Sequence, residues 1–493
     1  MTTLVPLLVV GPLLAAALAL AARSLGRLRD AITLITLFGV ALGALILVLS
    51  VNRSGPVVVR LGGWHPELGI VLVADLFAAL VLLSATATVL AVEVFSIGQR
   101  KTVWAASPDL VGPLLLVLTG GVSLAFLTGD LFTLFVAFEL ILVSSYVLLT
   151  HQGRSGQVRS GMSYVVMNLF ASTLFLFGLA FVYASTGTVN MALLSERVPE
   201  LSSGTQLGLG LWFFVVFGTK AAAFPLFSWL PDSYPTAPTT ITAVFAGLLT
   251  KVGVYSLIRF HTLTRMDELG PIVLIVAGAT MLVGVLGALA QNDVKRILSF
   301  HIISQIGYML MGLGLFTVAG VAGAVLFLVH HIPTKTLLFL VGGMIEDEYG
   351  TSDLDKAGGL AARRPILGLL FAIPAMSLAG LPPFSGFVAK LSLIRAGIEA
   401  QSTLIVIVAL VVSALTLLSM VKIWLGVFWG VDPRDEPTEL SSPQARMLMT
   451  SATGAAIVGT LLVAVLAGPL WDMSLAAAES LLDPSGYATE VLR

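Results

Sequence analysis

The sequence predicts an all-α polytopic membrane protein with about fourteen transmembrane helices. Of its 493 residues, 57% are hydrophobic and only 11% are charged, and the mean hydropathy is +1.00. About a quarter of the residues in a soluble domain are charged, so a soluble fold is excluded. Apolar runs that reach the ~20 residues needed to cross a bilayer core recur along the whole chain.

The first apolar run, residues 4–22, is the first span rather than a signal peptide. It lacks a basic start and a small-residue cleavage site, and many similar runs follow it. The chain has no cysteine, which excludes disulfides, thiolate metal sites and cysteine-ligated iron–sulfur clusters. We expect no cofactor and no metal in this chain. A net charge of −1 gives no reason to expect a nucleic-acid partner.

The length criterion divides the chain into fourteen predicted spans. They cover roughly residues 3–22, 31–51, 70–94, 109–128, 131–150, 162–185, 206–230, 238–260, 271–290, 297–318, 320–345, 366–397, 403–430 and 447–470. The seventh and twelfth contain internal prolines, namely Pro225, Pro374, Pro382 and Pro383, and Pro231 follows the seventh. A proline frees a backbone carbonyl that lipid cannot satisfy. Both spans are therefore predicted to be broken inside the bundle.

Loop charge predicts the orientation in the membrane. The odd-numbered loops carry fourteen cations: Arg23, Arg27, Arg29, Arg100, Lys101, Arg154, Arg159, Lys295, Arg296, Lys356, Arg363, Arg364, Arg434 and Arg446. The even loops and the termini carry seven: Arg53, Arg60, Arg197, Arg259, Arg265, Arg395 and Arg493. Since cytoplasmic loops are enriched in Lys and Arg, we expect a multi-pass cell-membrane protein with both termini outside.

A short internal sequence similarity suggests a repeat. Residues 224–230 (FPLFSWL) resemble residues 381–387 (LPPFSGF), which lie 157 positions and five spans later. An odd number of spans inverts one copy relative to the other, as in many transporters. A chance match in an apolar sequence is the alternative.

The cations within the spans are all lysines: Lys220, Lys251, Lys335, Lys390 and Lys422. This choice is informative because a desolvated lysine can lose its proton, whereas arginine stays charged. Small residues beside Lys220 and Lys251 favour close approach of neighbouring helices. Snorkelling to the membrane surface is the alternative role for a membrane lysine; it is an open rival for Lys390 and the preferred interpretation of Lys422.

Glu139 is the ninth residue of the fifth span. A carboxylate at that depth costs a few kcal/mol (about 2.5–3.5 on insertion scales) unless it is paired or protonated. A Glu139–Lys220 pair would hold a proton on the lysine, and separation of the two would help to release it. A helix–helix hydrogen bond from a neutral carboxylic acid is the structural alternative.

His331 and Lys335 are spaced i, i+4 on one face of the eleventh span. Because histidine titrates near neutrality, this spacing suits proton transfer, and Pro333 should loosen the helix between them. Metal binding by His330 and His331 is a weak alternative, since adjacent residues face different directions. Residues 293–296, in the short loop before the tenth span, are expected to order that turn electrostatically.

Three segments together resemble a known family. They are residues 135–146 (FVAFELILVSSY), 220–239 (KAAAFPLFSWLPDSYPTAPT) and 293–300 (DVKRILSF). They are similar to the proton-pumping membrane subunits shared by respiratory complex I and the Mrp-type multisubunit sodium/proton antiporters, over spans four to thirteen. Within that superfamily, residues 62–75 (GGWHPELGIVLVAD), the length near 500 and Lys390 resemble the Mrp branch, and the length excludes its much longer A subunit.

The resemblance implies fourteen helices with two inverted five-helix repeats that contain broken helices. The implied organisation is N-terminal helices in 1–108, repeats in 109–260 and 271–430, and a C-terminal helix and tail in 447–493. It also implies a proton-transfer relay of six residues: Glu139, Lys220, Lys251, His331, Lys335 and Lys390. Pro333 departs from the family pattern, which has another apolar residue there.

The leading functional hypothesis is a proton-translocating subunit of a multisubunit Na⁺/H⁺ antiporter. Its expected partners are the other subunits, the lipid bilayer, protons and possibly sodium. The first alternative is a pump subunit of redox-driven complex I or of a membrane-bound hydrogenase. The second is a passive assembly scaffold, against which the complete lysine set argues.

Overall fold

The structure of the chain, a computed structural model, describes residues 1–67, 69–99, 110–150, 153, 155–432 and 442–493. Four of the cations used to predict orientation, Arg100, Lys101, Arg154 and Arg434, lie outside the described residues. The helices are α1 Leu4–Ala21, α2 Gly26–Ser54, α3 Leu76–Gln99, α4 Val111–Leu127, α5 Leu131–Thr150, α6 Ser155–Thr186, α7 Met191–Arg197, α8 Ser203–Ala221, α9 Trp229–Ser233, α10 Thr239–Leu263, α11 Gly270–Leu289, α12 Val294–Leu315, α13 Val318–Tyr349, α14 Leu360–Arg363, α15 Pro365–Ala379, α16 Ser385–Glu399, α17 Thr403–Ile423, α18 Pro443–Val465, α19 Ala467–Leu482 and α20 Pro484–Leu492.

The all-α polytopic prediction is confirmed. Within the described ranges, 11 helices are long and apolar enough to cross a membrane. The other three predicted spans correspond to α4, which has 17 residues, to α8 with α9, and to α15 with α16. A short antiparallel hairpin, β1 Val57–Arg60 and β2 Val71–Ala74, joins α2 to α3 and was not predicted.

The two predicted helix breaks are present. Helix α8 ends at Ala221, and the next residue, Ala222, adopts a left-handed backbone with φ 62°. Helix α15 ends at Ala379 before Gly380, at φ 87°. The prolines that follow cannot donate a backbone hydrogen bond to the preceding turn. At the first break, a side chain inside the bundle bonds to this turn: the indole of Trp229 donates to the Thr219 carbonyl at 3.1 Å.

The centre of the bundle consists of α10, α12 and α13. Helix α10 is buried along its whole membrane window, and α12 and α13 are 94% buried over theirs. Helices α3 and α8 pack on α10, whereas α1, α2, α6, α11, α17 and α18 lie at the periphery with less than half of their windows buried. The central helices therefore have protein, rather than lipid, around any polar side chain they carry.

The element order helix, helix, helix, broken helix, helix occurs twice, in α4–α10 and α11–α17, with short α7 and α14 as connectors. This matches the predicted order of elements, and the division at 109–260 and 271–430 stays a prediction.

The C-terminal tail forms two helices that sequence analysis did not predict. Helix α19 packs on α13, and α20 packs on α7. We call the end of the bundle that carries β1, β2, α7 and α20 the hairpin end. The start of α12 and the end of α13 lie at the opposite end.

Candidate functional site

Four lysines lie inside the bundle on four different helices. The exposed fractions are 4% for Lys220 on α8, 0% for Lys251 on α10, 0% for Lys335 on α13 and 3% for Lys390 on α16. All four side chains are thus surrounded by protein. Snorkelling, the open rival for Lys390, does not describe its position.

Lys220 lies in the last turn of α8, immediately before the break. Its ammonium donates to the Ser172 hydroxyl at 2.9 Å and to the Asn168 carbonyl at 3.3 Å, both on α6. The same nitrogen lies 5.3 Å from the centre of the Phe138 ring on α5. The lysine is therefore held by neutral oxygens and an aromatic face.

Glu139 does not form the direct ion pair that the sequence suggested, since Lys220 takes its hydrogen-bond partners from α6. The carboxylate is near enough for its charge to act on the lysine. Its Oε1 is buried and has no hydrogen-bond partner in the described part of the chain. Glu139 is only half-buried, because it lies on the outer face of α5 between Val136 and Val143, which are 42% and 60% exposed.

Lys251 lies in the middle of α10, where two glycines bring the neighbouring helices close. A Cβ on Gly253 would lie 2.6 Å from the Ala221 backbone nitrogen, and one on Gly247 would overlap the Thr336 hydroxyl on α13. This confirms the expectation that small residues permit close approach. The Lys251 ammonium donates to the Ala246 carbonyl of its own helix.

His331 and Lys335 are fully buried and have unused hydrogen-bonding capacity. Both ring nitrogens of His331 and the Lys335 ammonium lack partners among the described residues. Lys251 and Lys335 are close enough for their charges to interact, and both act on His331. Three ionisable groups from α10 and α13 thus form one electrostatic cluster at the centre of the bundle.

Pro333 does not interrupt α13, which is continuous from Val318 to Tyr349. The expected loosening is limited because a neighbouring helix compensates. The Val329 carbonyl, four residues before the proline, accepts a hydrogen bond from the Ser84 hydroxyl of α3 at 3.0 Å.

Lys390 repeats the environment of Lys220 at the second break. Its ammonium donates to the Ala379 carbonyl at the end of α15 and to the Ser413 hydroxyl of α17, both at 3.1 Å. The Tyr308 ring centre lies 4.9 Å away. One backbone carbonyl, one serine hydroxyl and one aromatic face again surround the lysine.

Two further polar residues near these lysines were missed by sequence analysis. His301 on α12 bonds to the Ser419 hydroxyl at 2.9 Å, and Gln305, one turn later, has no partner for either amide atom among the described residues. The charges of Lys335 and Lys390 act on His301. The i, i+4 spacing of His301 and Gln305 in an otherwise apolar span was the available signal.

His330 was considered only as a weak candidate metal ligand, and its hydrogen bonds were not predicted. Its Nδ1 lies 2.8 Å from the Ser385 hydroxyl at the start of α16 and 3.3 Å from the Thr334 hydroxyl. The neighbouring His331 makes no such bond, so the two adjacent histidines have different environments.

The prediction that the cations within the spans are all lysines is wrong, because Arg259 lies within a membrane helix. It is part of α10 and 5% exposed, and it forms a bidentate ion pair with Asp75, at 2.5 and 2.8 Å. Sequence analysis counted Arg259 as a loop cation and gave Asp75 no role. A bidentate carboxylate satisfies a guanidinium that cannot deprotonate.

The opposite end of the bundle carries structural charges. Asp293 caps α12 by accepting from the Arg296 amide at 2.9 Å, which agrees with its expected role. Lys295, 3% exposed, forms an ion pair with Glu346 near the end of α13. Lys422 is half-buried and donates to the Leu289 and Gln291 carbonyls at 3.0 and 2.7 Å, where α11 ends and cations are favourable; its snorkelling stays a prediction.

Groups of three or more His, Cys, Asp or Glu side chains placed to hold a metal ion do not occur in the part of the chain that the structure describes. The chemistry that this arrangement can support is proton exchange among lysine, histidine and glutamate. A buried lysine next to neutral acceptors can give up its proton, whereas a buried arginine cannot.

Comparison with known proteins gives a consistent result. The family model for the transmembrane region of NADH:quinone oxidoreductase and Mrp antiporter proteins matches residues 128–416. The D subunit of the Na(+)/H(+) antiporter of Alkalihalophilus pseudofirmus is 42% identical over 459 residues, which cover 92% of each chain. The protein with the same description from Bacillus subtilis is 38% identical over 462 residues, or 91% of each chain.

Two solved structures share the fold over nearly the whole chain. One chain of the Mrp complex from Dietzia sp. superimposes with a TM-score of 0.92 at 34% identity and covers 100% of both chains. A chain of the membrane-bound sulfane sulfur reductase, an archaeal respiratory membrane complex, has a TM-score of 0.89 at 26% identity and covers 99% of both.

The contrast between the adjacent histidines predicts different effects on stability. His330→Leu should lower the free energy of unfolding by about 0.5–1.5 kcal/mol, because it removes the hydrogen bond to the Ser385 hydroxyl, which then keeps only the Ser377 hydroxyl at 3.2 Å. His331→Leu should leave stability unchanged or higher, since it removes a buried group that has no hydrogen bond. Thermal unfolding of the purified protein tests this; equal destabilisation by both variants would contradict the assigned environments.

Proposed function

Because the chain belongs to the NADH:quinone oxidoreductase/Mrp antiporter family of transmembrane proteins, we propose that it carries protons through the bilayer along its buried lysines. It is a proton-translocating subunit of a hetero-oligomeric Na⁺/H⁺ antiporter. The antiporter relatives from Alkalihalophilus and Bacillus, both D subunits, match its length and nearly its whole sequence, which supports the same position in the complex. The antiporter relatives support an ion transporter, and we propose on that ground that the chain is not an enzyme.

The observation that carries the proposal is the kind of partner each lysine has. Lys220 and Lys390 each bond to a serine hydroxyl. A hydroxyl can accept a hydrogen bond from an ammonium and donate one to a neutral amine. It therefore completes the hydrogen bonding of the lysine in either protonation state, whereas a carboxylate favours the protonated lysine. Such a site suits a lysine that gains and loses a proton.

The proposed path runs from Glu139 and Lys220 to Lys251, then through His331 and Lys335, and finally to Lys390. This set is a relay of groups that gain and lose protons, as proton transfer requires. The unpaired nitrogens of His331 and Lys335 support this order, because they leave the central step free to accept a proton or a bridging water.

The position of Glu139 supports a contact between this surface of α5 and another subunit. Its neighbours on this face of α5, Val136 and Val143, are 42% and 60% exposed in the isolated chain, and a carboxylate beside a lipid-facing surface is costly. We propose that a neighbouring membrane subunit covers this face in the complex. Protonation of Glu139 from the side of that subunit would then change the electrostatic field at Lys220.

A redox-driven complex is the second candidate function. The 26% identity to a chain of an archaeal respiratory membrane complex supports a common proton-transfer architecture. The higher identities to antiporter subunits, 42% and 38%, favour the antiporter.

The relay predicts that both members of its first step are essential. Glu139→Gln and Lys220→Met should each reduce sodium-driven proton movement by at least about 100-fold, the lower end of what a positioned proton donor or acceptor contributes. The assay uses the complete complex in vesicles that contain a pH-sensitive dye. Lys422→Met is the matched control, since it removes a helix-capping lysine outside the path and should retain most activity. Antiport near the wild-type rate in either first-step variant would remove that residue from the mechanism.

We also propose that the hairpin end faces outward, from the excess of Lys and Arg in the odd loops. A cysteine at Arg197, a residue whose side chain is 38% exposed at the hairpin end, should react only with reagents outside the cell. A cysteine at Arg154 should react only from the cytoplasm. The chain has no native cysteine, so the labelling background is low. The reverse pattern would contradict the orientation.

A further inference from the structure

The Asp75–Arg259 ion pair has no part in the proposed relay, yet it lies on the same helix as the central lysine. Arg259 follows Lys251 by eight residues on α10, which corresponds to about 12 Å along the axis. Tyr255 lies midway, at the i+4 position from Lys251 and four residues before Arg259. The pair therefore stands between the central lysine and the hairpin end of the bundle.

Further hydrogen bonds join the ion pair to the helices around it. Besides its two bonds to Asp75, Arg259 donates to the Tyr255 hydroxyl at 3.0 Å, and that hydroxyl donates to the Phe126 carbonyl of α4 at 2.7 Å. Asp75 also accepts from the Ala78 amide at 2.9 Å, at the start of α3. Helices α3, α4 and α10 are thus joined at this level.

The C-terminal helix covers the pair. The Arg259 guanidinium carbon lies 5.4 Å from the ring centres of Phe77 and Tyr255 and 5.6 Å from that of Tyr487 on α20. Tyr487 is only 4% exposed. Helix α20 is fastened by the Arg60 guanidinium, which donates to the Val491 carbonyl at 3.0 Å.

A guanidinium at this position opposes proton passage because it cannot release a proton at any working pH and so cannot act as a relay. The ion pair at the opposite end, Lys295 with Glu346, contains no guanidinium. The two ends of the central helices therefore differ in this respect.

We propose that the Asp75–Arg259 pair, covered by Tyr487, is a proton seal that closes the hairpin end of α10. Protons that reach Lys251 are then forced sideways to α13 and on to Lys390 instead of leaking directly out of the bundle. This inference rests on the proposed lysine relay, because a seal matters only if Lys251 carries protons.

Passive proton leak tests the seal, since a purely structural pair would not affect it. The complete complex is placed in vesicles with an internal pH dye, without sodium, and a membrane potential is imposed. Arg259→Lys keeps the charge but loses the bidentate geometry and can deprotonate, so the leak should rise several-fold. Arg197→Lys is the matched control: Arg197 also pairs with a carboxylate at the hairpin end, that of Glu67 at 3.1 Å, but both side chains are exposed. Its leak should equal that of wild type.

A second variant guards against loss of assembly. Tyr487→Ala leaves the ion pair intact and removes only its cover, and it should also raise the leak. An unchanged leak in assembled Arg259→Lys, or in Tyr487→Ala if the first variant does not assemble, would overturn the seal.

A combined variant separates the seal from the relay. If the leak of Arg259→Lys returns to the wild-type level when Lys251→Ala is added, then the relay carries it and both proposals stand. If the leak persists without Lys251, the pair still blocks protons, but the proposed relay through Lys251 is wrong.

Discussion

A charge in the hydrocarbon core must have partners within the protein, and this constraint explains how the bundle is built. Two solutions are seen at three of the described cations, whereas the Lys335 ammonium has no hydrogen-bond partner among the described residues. Arg259 is neutralised by a bidentate carboxylate from Asp75. Lys220 and Lys390 are instead held by one carbonyl, one serine hydroxyl and one aromatic ring each. The first solution fixes a charge permanently, and the second leaves the charge free to change.

The second helix break provides a site of the second kind. A continuous helix uses its carbonyls internally, whereas a helix that ends inside the membrane leaves its last carbonyls available. At the second break, the Ala379 carbonyl accepts both from Lys390 and from Ser413 at 2.9 Å. At the first break, Lys220 lies in the terminal turn of α8, but its carbonyl acceptor, that of Asn168, lies within the continuous helix α6. The prolines thus contribute to function because they end helices inside the membrane.

Much of this arrangement could be predicted from local sequence. Apolar length identified the spans, prolines identified both breaks, and the lysines in apolar runs identified the candidate relay. Tertiary geometry decided the rest. Asp75 and Arg259 lie 184 residues apart, and neither residue has a local pattern that reveals the other. The outward position of Glu139 follows from how α5 packs against its neighbours. The packing of the C-terminal tail on the hairpin end has no periodic pattern in the sequence that would predict it.

The central claim is that the buried lysines act by losing protons and not by holding a fixed charge. The most direct measurement compares Lys251→Arg with Lys251→Ala in sodium-driven proton movement, with the complete complex in vesicles at matched amounts. Arginine keeps the charge and cannot deprotonate. The account predicts that Lys251→Arg impairs transport nearly as much as Lys251→Ala. Transport at the wild-type rate in Lys251→Arg, with loss in Lys251→Ala, would show that Lys251 is a fixed charge and would contradict the account.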